Sequence, residues 1–254
     1  MNRIIITGAS SGIGKEMALL LDKKGNELVL VARRKKRLDS IRKRIKTKCI
    51  IFTADLSKEK DIERLIKKFS NADVLINNAG YSMYASFAGS DWKKQKDMVF
   101  TNSIAPARLM HHFIKAMKKK GKGRILNVSS TAGEKPSPFI SMYGASKSFL
   151  TYLSESVSLE LKGTGVSVSC LLPGPTKTEF WDVSGSAKKV AKARAGYDDP
   201  EKVAAFGIKL MEKGSIRGVP GIKNKIKGMI KFLMPRPLWY SQILKHMKHR
   251  SLKK

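Results

Sequence analysis

Short runs of Val, Ile and Leu recur along the chain. Between them lie longer, mostly polar stretches in which apolar residues return every three or four positions. The runs at 3–7 (RIIIT), 27–32 (ELVLVA), 49–54 (CIIFTA), 73–80 (DVLINNAG), 123–130 (GRILNVSS) and 166–174 (VSVSCLLPG) predict strands. They are apolar throughout rather than alternating, as strands covered on both faces are. Helices are predicted from the Gly-rich turn to about Lys24, in the basic stretch after the second strand, and after the third, where Ser57 is placed to cap the first-turn amides. Further helices are predicted at 97–120, at 143–162 and from Pro200 to about Lys213. The last of these has Pro at its first position and Asp199 as its cap. The stretch SIRGVPG supplies a final strand. Strands interleaved with helices form right-handed βαβ units. The fold class is therefore α/β, an open doubly wound parallel sheet of about seven strands with an amphipathic C-terminal helical extension. The domain spans 1–220 and the extension 221–254.

Composition bounds this picture. Hydrophobic residues make up 42% of the 254, enough for a proper core. No run of apolar residues is long enough to cross a bilayer. The first strand begins at once, leaving no room for a signal peptide. Cys49 and Cys170 lie in apolar strand runs and are expected as buried free thiols of a reducing, cytoplasmic compartment. The net charge of +31, from 51 Lys and Arg against 20 acids, is high. It points to an anionic partner or to a lysine-rich solvated surface. Its spread over the whole chain favours the surface for most of it.

In an open parallel sheet, ligands bind outside the carboxyl ends of the strands. TGASSGIG, VARR, TADL, NNAG, NVSS and LLPG all stand at such ends, so they share one crevice. In TGASSGIG, residues Gly8, Ser10, Ser11, Gly12, Ile13 and Gly14 form a turn that lets backbone approach a pyrophosphate, and the next helix presents its N-terminal amides to the phosphates. After the second strand an acid would bind a ribose 2′-hydroxyl, whereas an arginine accommodates a 2′-phosphate. Here Arg33 and Arg34 come first, and no acid appears until Asp39. The cofactor predicted is NADP rather than NAD. Asp55 and Leu56 either flank an adenine or begin the turn into the next helix. Asn78, Ala79 and Gly80 end the fourth strand, where Asn side chains satisfy sheet backbone and Gly80 admits a ribose. Tyr143 and Lys147, four apart, share a helix face. A cation there lowers the phenol's pKa toward working pH.

With Asn102 in FTNS, Ser130 in NVSS, YGASK, and Pro173, Gly174, Thr176 and Thr178 in LLPGPTKT, the sequence over about 3–180 closely resembles the short-chain dehydrogenase/reductase family, in motif order and spacing. The resemblance implies a Rossmann-like sheet and hydride transfer between NADP(H) and a carbonyl or secondary alcohol, with reduction the favoured direction. It implies Tyr143 as general acid/base and Ser130, thirteen residues before it, as the group holding the carbonyl oxygen. Lys147 would lower the tyrosine pKa and bind the nicotinamide ribose, and Asn102 would hold a relay water. The 173–178 loop would contact the nicotinamide. It also implies a homodimer or homotetramer built on the helices at 97–120 and 143–162.

The substrate is expected to be a small carbonyl or alcohol compound with a hydrophobic body. Specificity is expected from Tyr81 to Ser90, from 175–199, where Phe180 and Trp181 either line an apolar pocket or anchor the loop, and from the tail. Residues 222–254 contain no acid. Ile222, Ile226, Met229, Ile230 and Leu233 form one stripe, and Tyr240, Ile243, Leu244 and Met247 a second. Such a tail reads as a peripheral membrane contact, as a lid or dimer arm, or as helices packed on their own domain. His111, His112, His246 and His249 show no metal-ligand spacing, so no metal is expected. The competing function is a nucleotide-fold binding protein acting through its basic surface on anionic lipid or nucleic acid. Against nucleic acid, the basic stretches lack interleaved aromatics for base stacking.

Overall fold

The computed structural model describes residues 2–180, 197–222, 224 and 236–251. Its strands are β1 (Asn2–Thr7), β2 (Asn26–Ala32), β3 (Lys48–Thr53), β4 (Val74–Asn77), β5 (Gly123–Val128), β6 (Val166–Leu171) and β7 (Arg217–Gly218). The helices are α1 (Gly12–Leu20), α2 (Lys35–Arg42), α3 (Glu59–Lys68), α4 (Trp92–Val99), α5 (Ala105–Lys120), α6 (Ser141–Glu160), α7 (Pro200–Glu212) and α8 (Arg236–Ser251). The strands form one sheet in the order β3-β2-β1-β4-β5-β6-β7. Every pairing is parallel, for example Ile5 with Val29 and Leu75. The order reverses between β1 and β4, which is where a crevice opens in such sheets.

The period-2 geometry of the strands sorts the apolar runs onto two faces. Ile4, Ile6, Leu28 and Leu30 pack with Met17 and Ala18 of α1 and Val203, Ala204 and Ile208 of α7. Ile5, Val29, Val31 and Leu75 pack with Leu65 of α3 and Leu109 and Phe113 of α5. Each fully buried aliphatic or Phe side chain contributes about 1.5–3 kcal/mol. The continuous apolar runs are thus explained by two cores, one on each side of the sheet.

Several expectations are corrected. The helix predicted at 97–120 begins at Trp92, where Asp91 Oδ1 accepts from Lys94 N at 3.0 Å. It is broken by a π-helical turn, Phe100–Ile104, before α5. Ser57 does not cap α3: its hydroxyl donates to Asp55 Oδ1 at 2.9 Å, and the cap position is Lys58. Asp199 does cap α7, accepting from Glu201 N at 2.8 Å. Cys170 is buried but Cys49, near the sheet edge, is only half-buried. Burial pushes the thiol of Cys170 up to about 12 and that of Cys49 to about 11. Trp181 with the rest of 181–196, and Ile226, Met229, Ile230 and Leu233 of the first tail stripe, lie outside the described residues. No helix among the described residues is long and apolar enough to cross a membrane.

Candidate active site

At the carboxyl ends of β1, β4, β5 and β6 the chain encloses a cleft of about 1080 Å³. Its floor is tied together by one threonine and one asparagine. Thr7 Oγ1 donates to Ile76 O at 3.2 Å and accepts from the amides of Asn78 at 3.0 Å and Ala79 at 3.1 Å. Asn78 Nδ2 returns to Thr7 O at 2.9 Å and Gly8 O at 3.2 Å. The Gly-rich turn and NNAG are therefore one hydrogen-bonded unit. Gly8 sits at φ 68°, and a Cβ there would lie 2.7 Å from Asn78 Nδ2, so the turn admits no side chain. Ser10, Ser11, Gly12 and Ile13 line the cleft with Gly8. Gly14 does not; a Cβ on it would lie 2.3 Å from Asn78 Nδ2 and 2.6 Å from Gly8 O, so it serves close packing of α1 on the strand end.

Beyond β2, Arg33 and Arg34 both line the cleft, but they differ. Arg33 is exposed. Arg34 turns onto the Gly-rich turn, donating from Nη2 to Ser11 Oγ at 2.7 Å and to Ser10 Oγ at 2.9 Å. Its Nη1 meets Glu179 Oε2 at 3.0 Å, and Arg37 Nη1 reaches the same oxygen. Asp55 and Leu56 line the wall, while Asp55 Oδ1 also accepts from Ser57 N at 3.0 Å. Asp55 therefore stands in the cleft wall and also begins the turn into α3.

Tyr143 and Lys147 lie on α6 facing the cleft, at 7% and 4% exposure. The expected lowering of the phenol's pKa is not what the protein alone produces. Burial pushes Tyr143 up to about 12, with a hydrogen bond to Ser130 pulling the other way. Burial also pulls Lys147 down to about 8. Its ammonium donates to Val128 O at 2.8 Å. Ser129 Oγ donates to Lys147 O at 2.8 Å, fixing α6 against the end of β5. Ser130, half-buried, accepts from Ala132 N at 3.1 Å. The two serines are thus separated by what they hold: Ser129 the backbone of α6, Ser130 the turn that follows β5, on the cleft wall beside Tyr143.

Asn102 does not line the cleft. It is wholly buried in the π turn. Its Oδ1 accepts from Tyr81 N at 3.1 Å, and its Nδ2 donates to Tyr81 O at 3.0 Å and Ser146 Oγ at 3.2 Å. It reaches the site from behind Gly80. A Cβ on Gly80 would lie 2.8 Å from Asn102 Oδ1 and 3.3 Å from Lys147 Nζ.

The remaining wall is the loop after β6, with Pro173, Gly174, Thr176, Thr178 and Phe180. Phe180 stands with its ring centroid 5.5 Å from that of Tyr143. Sequence reading passed over Arg37 and Glu179, although Arg37 follows Arg34 by three, a same-face interval on a helix. It also left open the role of the tail, from which Trp239, Gln242 and Ile243 line the cleft.

A family model described as short chain dehydrogenase matches residues 2–189. The chain belongs to the short-chain dehydrogenase/reductase family. As a short-chain dehydrogenase/reductase it is an oxidoreductase of CH–OH and C=O groups, from a family that binds NAD(P) and acts on small-molecule carbonyl or alcohol substrates. It is 35% identical over 228 residues to a very-long-chain 3-oxoacyl-CoA reductase of Phaeosphaeria nodorum, covering 85% of this chain and 65% of that protein. Among solved structures it is similar to a short-chain dehydrogenase from Sphingobium yanoikuyae in complex with NADPH. The TM-score is 0.81 at 28% identity, over 92% of this chain and 95% of that one. It is also similar to a bulky-bulky ketone specific alcohol dehydrogenase from Comamonas testosteroni. There the TM-score is 0.77 at 25% identity, over 100% of this chain and 95% of that one.

Proposed function

We propose that this short-chain dehydrogenase/reductase is an NADP-dependent reductase of hydrophobic ketones, with Tyr143 as its general acid/base. The observation that carries the reading is that Ser130, Tyr143 and Lys147 line one wall of the cleft together, the last two almost fully buried. The cleft fits a dinucleotide with a substrate beside it. Its volume of about 1080 Å³ is at the upper end of ligand pockets. Ser10 to Ile13 would hold the pyrophosphate, Asp55 and Leu56 the adenine, Ala79, Gly80 and Lys147 the nicotinamide ribose, and the 173–178 loop the nicotinamide. Arg34, already seated on Ser10 and Ser11, would meet a 2′-phosphate, which supports NADP over NAD. A second protein observation agrees: the similar Sphingobium structure carries NADPH.

When bound, the cofactor supplies or accepts the hydride. The chain handles the proton. The Tyr143 phenol is neutral at neutral pH, which is the form a proton donor must have. Ser130 then steadies the oxygen on which charge develops. Asn102 holds Tyr81 and Ser146 in place behind Lys147 and acts as a positioning residue.

The test is a titration with NADPH and NADH, followed by nicotinamide fluorescence, beside Tyr143→Phe assayed on a panel of ketones. NADPH is expected to bind more tightly than NADH. Turnover in Tyr143→Phe is expected to fall by about 10²–10⁴-fold, with NADPH binding kept. Wild-type turnover in that variant would remove Tyr143 from the chemistry, and absence of binding by either cofactor would overturn the whole reading.

A further inference from the structure

Three consecutive residues of the loop after β6 touch three different parts of the cleft. The Thr178 methyl lies over Gly12, where a Cβ would come within 2.9 Å of it. Glu179 Oε2 meets Arg34 Nη1 at 3.0 Å and also Arg37 Nη1. The ring of Phe180 lies 5.5 Å, centroid to centroid, from that of Tyr143. One short segment therefore links the end of the cleft that carries the arginines to the end that carries the phenol.

The arginine end is a built anion seat. Arg34 spends Nε and Nη2 on the hydroxyls of Ser10 and Ser11, and these bonds fix the plane of its guanidinium. What remains, Nη1, points at Glu179 together with Arg37. The Arg37 hydrogen bond, and after it that of Arg34, holds the carboxyl of Glu179 below its ordinary range, so an anion occupies the seat at neutral pH. The seat offers a fork of guanidinium donors, which suits the several oxygens of a phosphate better than one carboxylate oxygen.

We propose that Glu179 holds the seat that the cofactor's 2′-phosphate takes, and that the phosphate displaces it, freeing residues 178–180 and drawing Phe180 off Tyr143. The proposal rests on the NADP reading above and gives it a cause beyond attraction. A phosphate-free dinucleotide leaves the carboxylate paired and Phe180 on the phenol. The 2′-phosphate is then both recognised by Arg34 and Arg37 and required to open the active end. The contacts involved are solvent-accessible ion pairs, which are individually weak, so a dianion can displace them.

The experiment uses the full chain and two nucleotides that lack nicotinamide: adenosine 2′,5′-bisphosphate and 5′-AMP. Calorimetry gives their affinities for wild type, Glu179→Gln and Arg37→Gln. Hydrogen exchange follows the 177–180 amides, among which Thr178 N is bonded to Thr176 O at 2.9 Å. Glu179→Gln is expected to tighten the bisphosphate by about three- to tenfold, the scale of one or two exposed ion pairs, and to leave 5′-AMP within twofold. Arg37→Gln is expected to weaken the bisphosphate by a similar factor. The bisphosphate, but not 5′-AMP, is expected to speed exchange at 177–180 in wild type. If wild type prefers the bisphosphate while Glu179→Gln leaves its affinity unchanged or lower, the displacement is wrong and the NADP reading stands. If Glu179→Gln instead weakens 5′-AMP, Glu179 holds a ribose hydroxyl and the proposal is overturned. If wild type does not distinguish the two nucleotides, the NADP reading itself fails.

Discussion

At the scale of the residue, the pair Tyr143 and Lys147 shows what spacing conveys and what it omits. The four-residue interval put both on the face of α6 that meets the cleft, which a sequence can state. It could not state how dry that face is. Burial dominates both groups, pushing the phenol up to about 12 and pulling the ammonium down to about 8. A consequence for stability follows. Between pH 8 and 10.5 the unfolded chain holds a proton on Lys147 that the folded chain has lost. Stability therefore rises with pH across that window. For Tyr143 the folded chain keeps its proton longer, so its contribution falls from pH 10 toward 12. Lys147→Met removes the first effect at the cost of the hydrogen bond to Val128 O. Its stability relative to wild type, measured by urea unfolding, is expected to decline by on the order of 3 kcal/mol between pH 7.5 and 10.5. A difference that stays level over that range would mean Lys147 is not the buried cation described here.

At the scale of the element, α6 is a helix with two committed faces. Tyr143, Lys147, Leu150, Thr151 and Ser154 are buried against the sheet. On the opposite side Phe149, Tyr152 and Leu159 are exposed, Phe149 at 46% and Tyr152 at 68%. These three large apolar side chains share one exposed helical stripe, the kind of surface that suits a protein contact. We infer that this face pairs with a second copy of the chain. Wild type is expected to give dimers or tetramers in light scattering at tens of micromolar, and Phe149→Glu combined with Tyr152→Glu to give single chains. An unchanged mass would place the contact elsewhere. The strands and most helices were legible because short, continuous apolar runs alternate with stretches of helical periodicity, and because some caps, such as Asp199, are conventional. The break at Phe100–Ile104 was not, because FTNSI carries no Gly or interior Pro to announce it. The turn forms so that Asn102 can reach Tyr81 and Ser146, partners that only the tertiary structure supplies.

At the scale of the molecule, the chain leaves β7 and comes back to the cleft. Asn224 Nδ2 donates to Asp198 Oδ2 at 2.8 Å and to Pro220 O at 2.9 Å, and it lies where a Cβ on Gly174 would meet it at 2.6 Å. Further on, α8 gives Trp239, Gln242 and Ile243 to the cleft wall, while Tyr240 and Leu244 stay exposed. Of the predicted stripe of Tyr240, Ile243, Leu244 and Met247, the first three are thus divided between two environments, and the Met247 side chain lies outside what is described. An apolar stripe on a basic helix does not say what covers it, so the sequence left helices packed on their own domain, a membrane contact, and a lid or dimer arm all open, in that order of weight. Placement against the cleft supports the lid for α8. A lid of this kind should select for substrate size. Trp239→Ala combined with Ile243→Ala removes two apolar side chains from the wall, each worth about 1.5–3 kcal/mol when fully covered by a substrate. KM for a ketone with two bulky apolar substituents is expected to rise at least about tenfold, since half that burial already exceeds 1.4 kcal/mol. KM for acetone-sized ketones and kcat for both should stay within about twofold, because neither side chain carries a proton or a charge in the reaction and uniform binding alone is lost. Equal rises in KM for large and small ketones would mean that α8 supports the fold of the cleft rather than closing over its contents.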